Sequence, residues 1–345
     1  MRHPPQDRVE GDKDYFLHPL SAGPYYIKEG KPGDPLFVLM ENPNYHRGPM
    51  AIQSIDLVVT SDQTSRTLQL GQGDVDFVYE LPPSVRGVLA PGVTTTPFNI
   101  GGIIHLVFNL SRGVDTPAGN NAVRHAISLA LDRDEISKKA FFGVATAIDS
   151  LCPSTYPERV PVLPNGGKQD LAGAKALLAG TPCENGCNIT LQTWSDRAGW
   201  PEAATVIKEQ LAKININVII DSIPATLSMG RMDKGDYDFC LGGIGLGRPT
   251  RFWFTSMFVP GSFWTDKARY NNPAMTALFD QASKEVDPDK HVEILKQIQL
   301  LGFEDLPHIP LLDRNVLIGS RLPPNVFAMT SGSDILWTAT LAEAK

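Results

Sequence analysis

The sequence is short of several features that mark common classes of protein. Cysteine occurs only four times in 345 residues, and charges of one sign form no long block. No run approaches the roughly eighteen consecutive apolar residues that a membrane-spanning helix requires. The 31 basic and 38 acidic residues give a net charge of -7, which argues against a nucleic-acid partner. We therefore expect a soluble chain that does not bind nucleic acid.

Catalytic and cofactor motifs are also missing. The sequence contains no G-x-S-x-G, no H-E-x-x-H and no P-loop pattern, and its histidines are scattered singly. A dinucleotide fingerprint fails because the last glycine of G-x-G-x-x-G would fall on Arg248. No cysteine has a partner at zinc-ligand spacing. The sequence therefore predicts a protein that is not an enzyme and has no metal site or cofactor.

The cysteines divide into a close pair and two isolated residues. Cys183 and Cys187 flank a turn-like Glu-Asn-Gly and could close a short disulfide loop in an oxidising compartment. Two unpaired thiols are the alternative. Cys152 and Cys240 lie in apolar segments, which predicts that they belong to the core.

The length and the change of pattern along the chain predict two domains. Residues 1–100 form short strand patterns broken by turns, residues 101–311 mix helix and strand patterns, and residues 312–345 return to strand and loop. This pattern predicts a partial, strand-rich first lobe at 1–100, an α/β second lobe at 101–311, and a return to the first lobe at 312–345.

The clearest alternation lies between residues 170 and 243. Strand patterns at 189–193, 216–220 and 238–241 are separated by a helix opened by Pro201 and a shorter one at 227–232. Such a βαβαβ order predicts parallel strands joined by right-handed crossovers.

The carboxyl ends of parallel strands face the ligand crevice in open α/β sheets. The segments that follow the first and third strands combine glycines, which let a ligand approach the backbone, with arginine forks that suit carboxylates and with flat aromatic rings. Solvated arginines and core aromatics are the alternative interpretation. The candidate ligand-binding residues in these segments are Trp194, Arg197, Gly247, Arg248, Arg251, Phe252 and Trp253.

Several segments, taken in order, resemble the extracytoplasmic solute-binding proteins of the oligopeptide, dipeptide and nickel importer class, family 5. The segments are Gly23-Pro24-Tyr25, residues 41–45, residues 66–76, Asn109 after a buried strand, residues 123–126, residues 131–136, the helix at 170–178, and residues 307–311. The resemblance implies an α/β, two-lobed fold like the type II periplasmic binding proteins. It also implies hinge strands near 104–109 and 309–312, and we add Asn109 to the candidate ligand-binding residues.

The same resemblance implies a function. It indicates a solute-binding receptor of an ABC-type importer, a periplasmic or extracytoplasmic monomer that docks on a membrane permease and closes two lobes over a small peptide-like or anionic solute. Residues 1–5 lack the apolar core of a signal peptide, which alone would indicate a cytoplasmic protein, and the resemblance overrides that reading. The alternative function is a ligand-sensing, solute-binding-like domain of a regulator.

Two departures from the family pattern bear on these expectations. Only about twenty residues precede Gly23, where family members carry a longer segment, so we expect an N-terminally truncated chain with an incomplete first lobe. Peptide-binding members carry an aspartate that meets the α-ammonium group of the ligand, and the aligned residue here is Gly247 with Arg248 and Arg251 nearby. This change favours a ligand that bears a carboxylate or another anion.

Overall fold

The computed structural model describes residues 23–245 and 250–322 and divides the chain into two compact units. The first unit comprises Met1–Leu81, Gly87–Thr95 and Ile318–Lys345, and the second comprises Pro82–Arg86 and Thr96–Leu317. The lobe limits predicted at residues 100 and 311 stay predictions.

Within its described residues, the first unit contains a small antiparallel sheet and one helix. The sheet has the order β1 (Tyr25–Glu29), β2 (Leu36–Glu41), β3 (Ser54–Val58), and it is followed by α1 (Gln63–Gln72) and β4 (Phe77–Leu81). The carboxylate of Asp62 accepts from Ser65 N at 2.7 Å at the start of α1, and Gly73 ends the helix with a left-handed φ of 89°. Aspartate and glycine are among the residues that commonly begin and end helices in this way.

The second unit is built on a mixed sheet. Its strands are β5 (Thr94–Phe108), β6 (Thr146–Ala147), β7 (Cys187–Trp194), β8 (Ile216–Ile223), β9 (Phe239–Ile244) and β10 (His308–Ser320). Within this unit the hydrogen-bonded order is β10–β5–β9–β7–β8, with the short β6 on β10. The β7–β8 and β7–β9 pairs are parallel, as the alternating pattern predicted, while β5 runs antiparallel to β9.

Helices cover this sheet. They are α2 (Asn121–Ala130), α3 (Arg133–Phe141), α4 (Leu171–Leu177), α5 (Trp200–Ala212), α6 (Ala225–Lys234), α7 (Thr250–Phe258), α8 (Phe263–Ala268), α9 (Pro273–Lys284) and α10 (Pro288–Asp305). In α5, Ala203, Val206, Ile207 and Leu211 are buried at helical spacing and belong to one continuous apolar core.

Three glycines of the second unit lie inside regular elements. Gly302 lies within α10, which continues to Asp305. A Cβ on Gly302 would lie only 2.7 Å from Cζ of Phe258, so this glycine serves close packing and not helix termination. The strand pattern at 238–241 stopped short of Gly242 and Gly243, and both are residues of β9.

Two buried arginines hold the segments around α2 and α3 together. Arg133 is 3% exposed, and its guanidinium donates to the carbonyl oxygens of Ser128, Gly167 and Pro310 at 2.9–3.2 Å. Arg124 donates in the same way to the carbonyl oxygens of Asp305 and Leu306. Burial lowers the pKa of each guanidinium to about 10, so both side chains remain charged at neutral pH.

Two histidines stack in the core of this unit. The rings of His105 and His308 have centroids 5.2 Å apart and are nearly parallel, and Trp264 lies edge-on to His105. Both histidines are fully buried. Burial lowers the pKa of His308 to about 4, and burial together with the neighbouring His308 lowers the pKa of His105 well below its usual range. Both rings are therefore neutral at pH 7.

The structure joins Cys183 and Cys187 in a disulfide, with their Cα atoms 4.8 Å apart, and leaves Cys152 and Cys240 as buried free thiols. The bridge closes a short loop at the entrance to β7, and Cys187 is the first residue of that strand. It therefore fixes the start of a strand that leads to the candidate site.

Replacing both bridged cysteines by serine should lower the free energy of unfolding by about 2 kcal/mol, because the closed loop is only a few residues long. Urea unfolding with and without a reductant measures this. Reductant should destabilise the natural chain and leave the Cys183→Ser/Cys187→Ser variant unchanged. Equal sensitivity of the two proteins to reductant would contradict the assignment.

Candidate functional site

The candidate site lies at the carboxyl ends of β7 and β9. These strands end at Trp194 and Ile244 and are directly paired in parallel. In a parallel pair both carboxyl ends meet at one edge of the sheet, where α/β proteins bind their ligands. The side chains at this edge are therefore the first to consider for ligand contact.

Two tryptophans stack at this edge. The indoles of Trp194, at the end of β7, and Trp200, at the start of α5, lie nearly parallel with ring centroids 5.8 Å apart. Phe141 contacts Trp200 edge-on at 5.5 Å. Gly199 enters α5 with a φ of +86°, and a Cβ there would lie 2.5 Å from Cε1 of Phe141. Only glycine fits this turn, and the turn places Trp200 against Trp194.

Glycines of β9 make room for the next side chain. A Cβ on Gly243 would lie 3.0 Å from Cζ2 of Trp200 and 3.6 Å from Cδ of Arg314, and one on Gly245 would lie 3.4 Å from Nη1 of Arg314. Arg314, on β10, therefore runs along the end of β9, with its guanidinium carbon 5.9 Å from the Trp200 ring. We call Trp194, Trp200 and Arg314 the indole–arginine cluster.

Asp313, the residue before Arg314 on β10, makes a structural contact with a loop. Successive strand residues point to opposite faces of a sheet, so Asp313 and Arg314 face different neighbours. The Asp313 carboxylate accepts from the backbone N–H of Ser154 at 2.9 Å and from its hydroxyl. Burial raises the pKa of Asp313, and the Ser154 hydrogen bonds counteract this rise. Asp313 thus ties the loop at Ser154 to the strand that presents Arg314.

The structure places the candidate residues from the sequence in different surroundings. Asn109 is buried, and its amide donates to the carbonyl oxygens of Gly235 and Tyr237. Arg197 is half-buried in the turn between β7 and α5, and its carbonyl oxygen accepts from Trp200 N at 3.3 Å. Their ligand-binding roles stay predictions.

The remaining candidates belong to the start of α7 or precede it. Arg251 is half-buried and Phe252 is 58% exposed, whereas Trp253 is buried and its indole N–H donates to the carbonyl oxygen of Leu151 at 3.0 Å. Gly247 and Arg248 lie outside the described residues. The structure therefore brings Trp194 together with Trp200 and Arg314, two residues that the sequence analysis did not select.

No group of three histidine, cysteine, aspartate or glutamate side chains within 23–245 and 250–322 is arranged to hold a metal ion. In the same part of the chain, no helix is both long enough and apolar enough to cross a membrane.

Comparison with known proteins identifies the family. Residues 2–266 match the model of the bacterial extracellular solute-binding proteins, family 5 middle. The chain belongs to this family. As a family 5 solute-binding protein it has the α/β, type II periplasmic-binding fold that the sequence predicted, which solved structures of the class confirm.

This family 5 protein is similar over most of its length to two curated relatives and to one solved structure. The glutathione-binding protein GsiB of Salmonella paratyphi A is 23% identical over 321 residues, which cover 89% of this chain and 61% of GsiB. The peptide transport periplasmic protein SapA of Salmonella typhimurium is 22% identical, and the match covers 85% of this chain and 54% of SapA. The periplasmic binding protein DppA of Helicobacter pylori, solved with the peptide STSA, superimposes with a TM-score of 0.80 at 20% identity, covering 98% of this chain and 66% of DppA.

The chain thus spans less than two thirds of the length of each of these relatives. Their names concern transport and binding, and none describes a regulator or an enzyme. The comparisons therefore give no support to the regulator alternative.

Proposed function

We propose that this family 5 protein is the solute-binding receptor of an ABC-type importer and captures a small peptide-like or anionic solute. The observation that carries the proposal is the family match over residues 2–266. The names of the relatives support it, because GsiB is a glutathione-binding protein and SapA a peptide transport protein. The protein would work outside the cytoplasm, as a monomer, and would deliver its ligand to a membrane permease.

The site at the carboxyl ends of β7 and β9 supports the same function. Flat indoles and a guanidinium provide apolar contact and positive charge, the combination that an organic anion or a peptide end requires. We also propose that the chain has no catalytic activity of its own, because the cluster pairs no nucleophile with a general base. Among the residues proposed from the sequence, Arg251 and Phe252 at the start of α7 remain candidates for further contacts.

Isothermal titration calorimetry with a defined panel tests the receptor proposal. The panel contains glutathione, the tetrapeptide Ser-Thr-Ser-Ala, unmodified dipeptides and small anionic solutes, with neutral sugars of similar size as controls. We expect at least one peptide-like or anionic compound to bind with a Kd below 1 mM, equivalent to a binding free energy beyond about -4 kcal/mol. If no compound of the panel binds, the receptor function is contradicted. If only the unmodified dipeptides bind, a preference for small anionic solutes is contradicted.

A further inference from the structure

The two residues of the disulfide bridge differ in their access to solvent. Cys183 is 0% exposed and belongs to the apolar core, whereas Cys187 is half-buried and packs against the edge of that core. Thiol–disulfide exchange requires a thiolate to reach one sulfur of the bridge directly. Of the two residues, Cys187 is the one that offers a surface to an incoming thiol.

The loop between the two cysteines is closed by hydrogen bonds that do not involve sulfur. The N–H of Gly186 donates to the carbonyl oxygen of Cys183 at 3.0 Å, which completes a turn across the loop. Gly186 has a φ of +88°, and a Cβ there would lie 3.1 Å from the carbonyl oxygen of Asn215. The same oxygen accepts from Cys187 N at 3.2 Å. The backbone therefore keeps the two cysteines adjacent when the S–S bond opens.

Cys183 is also anchored on its other side. Its N–H donates to the hydroxyl of Thr181 at 3.2 Å, and this hydroxyl donates in turn to the carbonyl oxygen of Leu178. A buried thiol held this close to Cys187 can attack a mixed disulfide on that residue, because reactants fixed next to each other behave as if they were highly concentrated. Cys183 therefore has the position of a resolving cysteine.

The other two cysteines of the chain lack these features. Cys152 and Cys240 are both 0% exposed, and burial raises the pKa of each thiol to about 12. The thiolate is the reactive form of cysteine, so both thiols are inert in the folded chain at neutral pH. They serve as internal controls for any reaction at the bridge.

We infer that Cys187 is a thiolation site, at which small-molecule thiols exchange with the bridge to Cys183. A thiolate RS⁻ forms a bond to Sγ of Cys187, the bond between the two cysteine sulfurs breaks, and Cys183 leaves as a thiolate that takes up a proton. Attack by Cys183 on the mixed disulfide expels RS⁻ and restores the bridge. A second RS⁻ can instead attack the RS sulfur, which releases the disulfide RSSR and leaves both cysteines reduced.

The proposed thiolation site and the candidate ligand site lie at opposite ends of one strand. The eight residues of β7 run from Cys187 to Trp194. At a rise of about 3.3 Å per residue, the two ends are about 23 Å apart. The inference therefore does not depend on the proposed receptor function, and its failure would leave that function untouched.

Single alanine variants of the 345-residue chain test the inference. Each variant is confirmed as folded by circular dichroism, incubated with cystamine at pH 7.5 and mapped by mass spectrometry. In Cys183→Ala we expect one cysteaminyl group, on Cys187, because the thiolate of Cys187 attacks cystamine and releases cysteamine. Cys187→Ala should react at least about 10-fold more slowly, because its remaining bridge cysteine is buried. The Cys183→Ala/Cys187→Ala variant retains only two buried thiols and should stay unmodified.

The natural chain gives a second measurement that needs no variant. Cysteamine is added in limiting amount, the exchange is stopped with acid, and the peptide that carries the cysteaminyl group is identified by mass spectrometry. We expect the mixed disulfide on Cys187. A cysteaminyl group on Cys183, equal reaction rates of the two single variants, or no mixed disulfide on Cys187 in either experiment would each overturn the inference.

Discussion

Replacing Arg133 by methionine should lower the free energy of unfolding by about 3 kcal/mol or more. Methionine keeps much of the buried apolar stem, but the carbonyl oxygens of Ser128, Gly167 and Pro310 lose their donor inside the core. Each buried polar group left unsatisfied costs about 1–3 kcal/mol. Urea unfolding, followed by circular dichroism at pH 7.5, measures the loss.

Lys138→Met provides the control on the same helix. Lys138 is an exposed residue of α3, so its loss should change the stability by no more than about 0.5 kcal/mol. A loss of that small size for Arg133→Met as well would mean that the arginine is not the structural link between α3, β10 and the loop at Gly167.

Acidification from pH 7.5 to pH 5 should destabilise the protein, and His308 alone should contribute about 2 kcal/mol to this loss. The unfolded chain takes up a proton on each ring near pH 6.5, whereas the folded chain keeps His308 neutral until about pH 4. Burial and the neighbouring His308 also lower the pKa of His105, so its effect on stability has the same sign. Because the unfolded state binds more protons, stability falls as the pH drops from about 6.5 towards 4.

The variants of this pair isolate the effect from other titrating groups. His105→Phe keeps an aromatic ring beside Trp264 and His308, and it should reduce the loss of stability between pH 7.5 and pH 5, because the unfolded chain no longer takes up a proton at this position. Trp264→Phe alters the same cluster without removing a titratable group, so it should keep the pH dependence of the natural chain. Urea titrations at both pH values measure these differences. An unchanged pH dependence in His105→Phe would contradict the assignment of a buried neutral pair.

Much of the second unit follows from local signals in the sequence. The carboxylates of Asp132 and Asp170 accept from backbone N–H groups at the starts of α3 and α4, and each aspartate directly precedes its helix in the sequence. Pro273 and Pro288 open α9 and α10 for the same local reason. The parallel pairing of β7 with β8 and β9 follows from the alternation of strands and helices. These features depend on residues close together in the chain.

The candidate site depends on residues far apart in the chain, and the sequence pattern indicated only part of it. The third strand pattern ended at residue 241 and so left out Gly242 and Gly243. In the structure they let Trp264 and Trp200 pack on opposite faces of β9. Arg314 lies 114 residues beyond Trp200, so no spacing rule connects them. A charged pair, Asp313 and Arg314, within the otherwise apolar start of β10 was the available signal.

Two segments of the family resemblance also link distant parts of the fold, a role that their spacing in the sequence did not indicate. The segments at 123–126 and 131–136 carry part of the family resemblance. The structure shows that Arg124 and Arg133, one from each motif, bind carbonyl oxygens of distant segments. An arginine in a helical pattern ordinarily predicts an exposed side chain, so the long-range role could be seen only with the tertiary structure.

A crystal structure of the chain with the tightest-binding compound of the calorimetric panel tests the central claim most directly, namely that the carboxyl ends of β7 and β9 form the ligand site. We expect ligand atoms to lie within about 4 Å of at least one of the side chains of Trp194, Trp200 and Arg314. A bound compound whose atoms contact none of these residues would contradict the account.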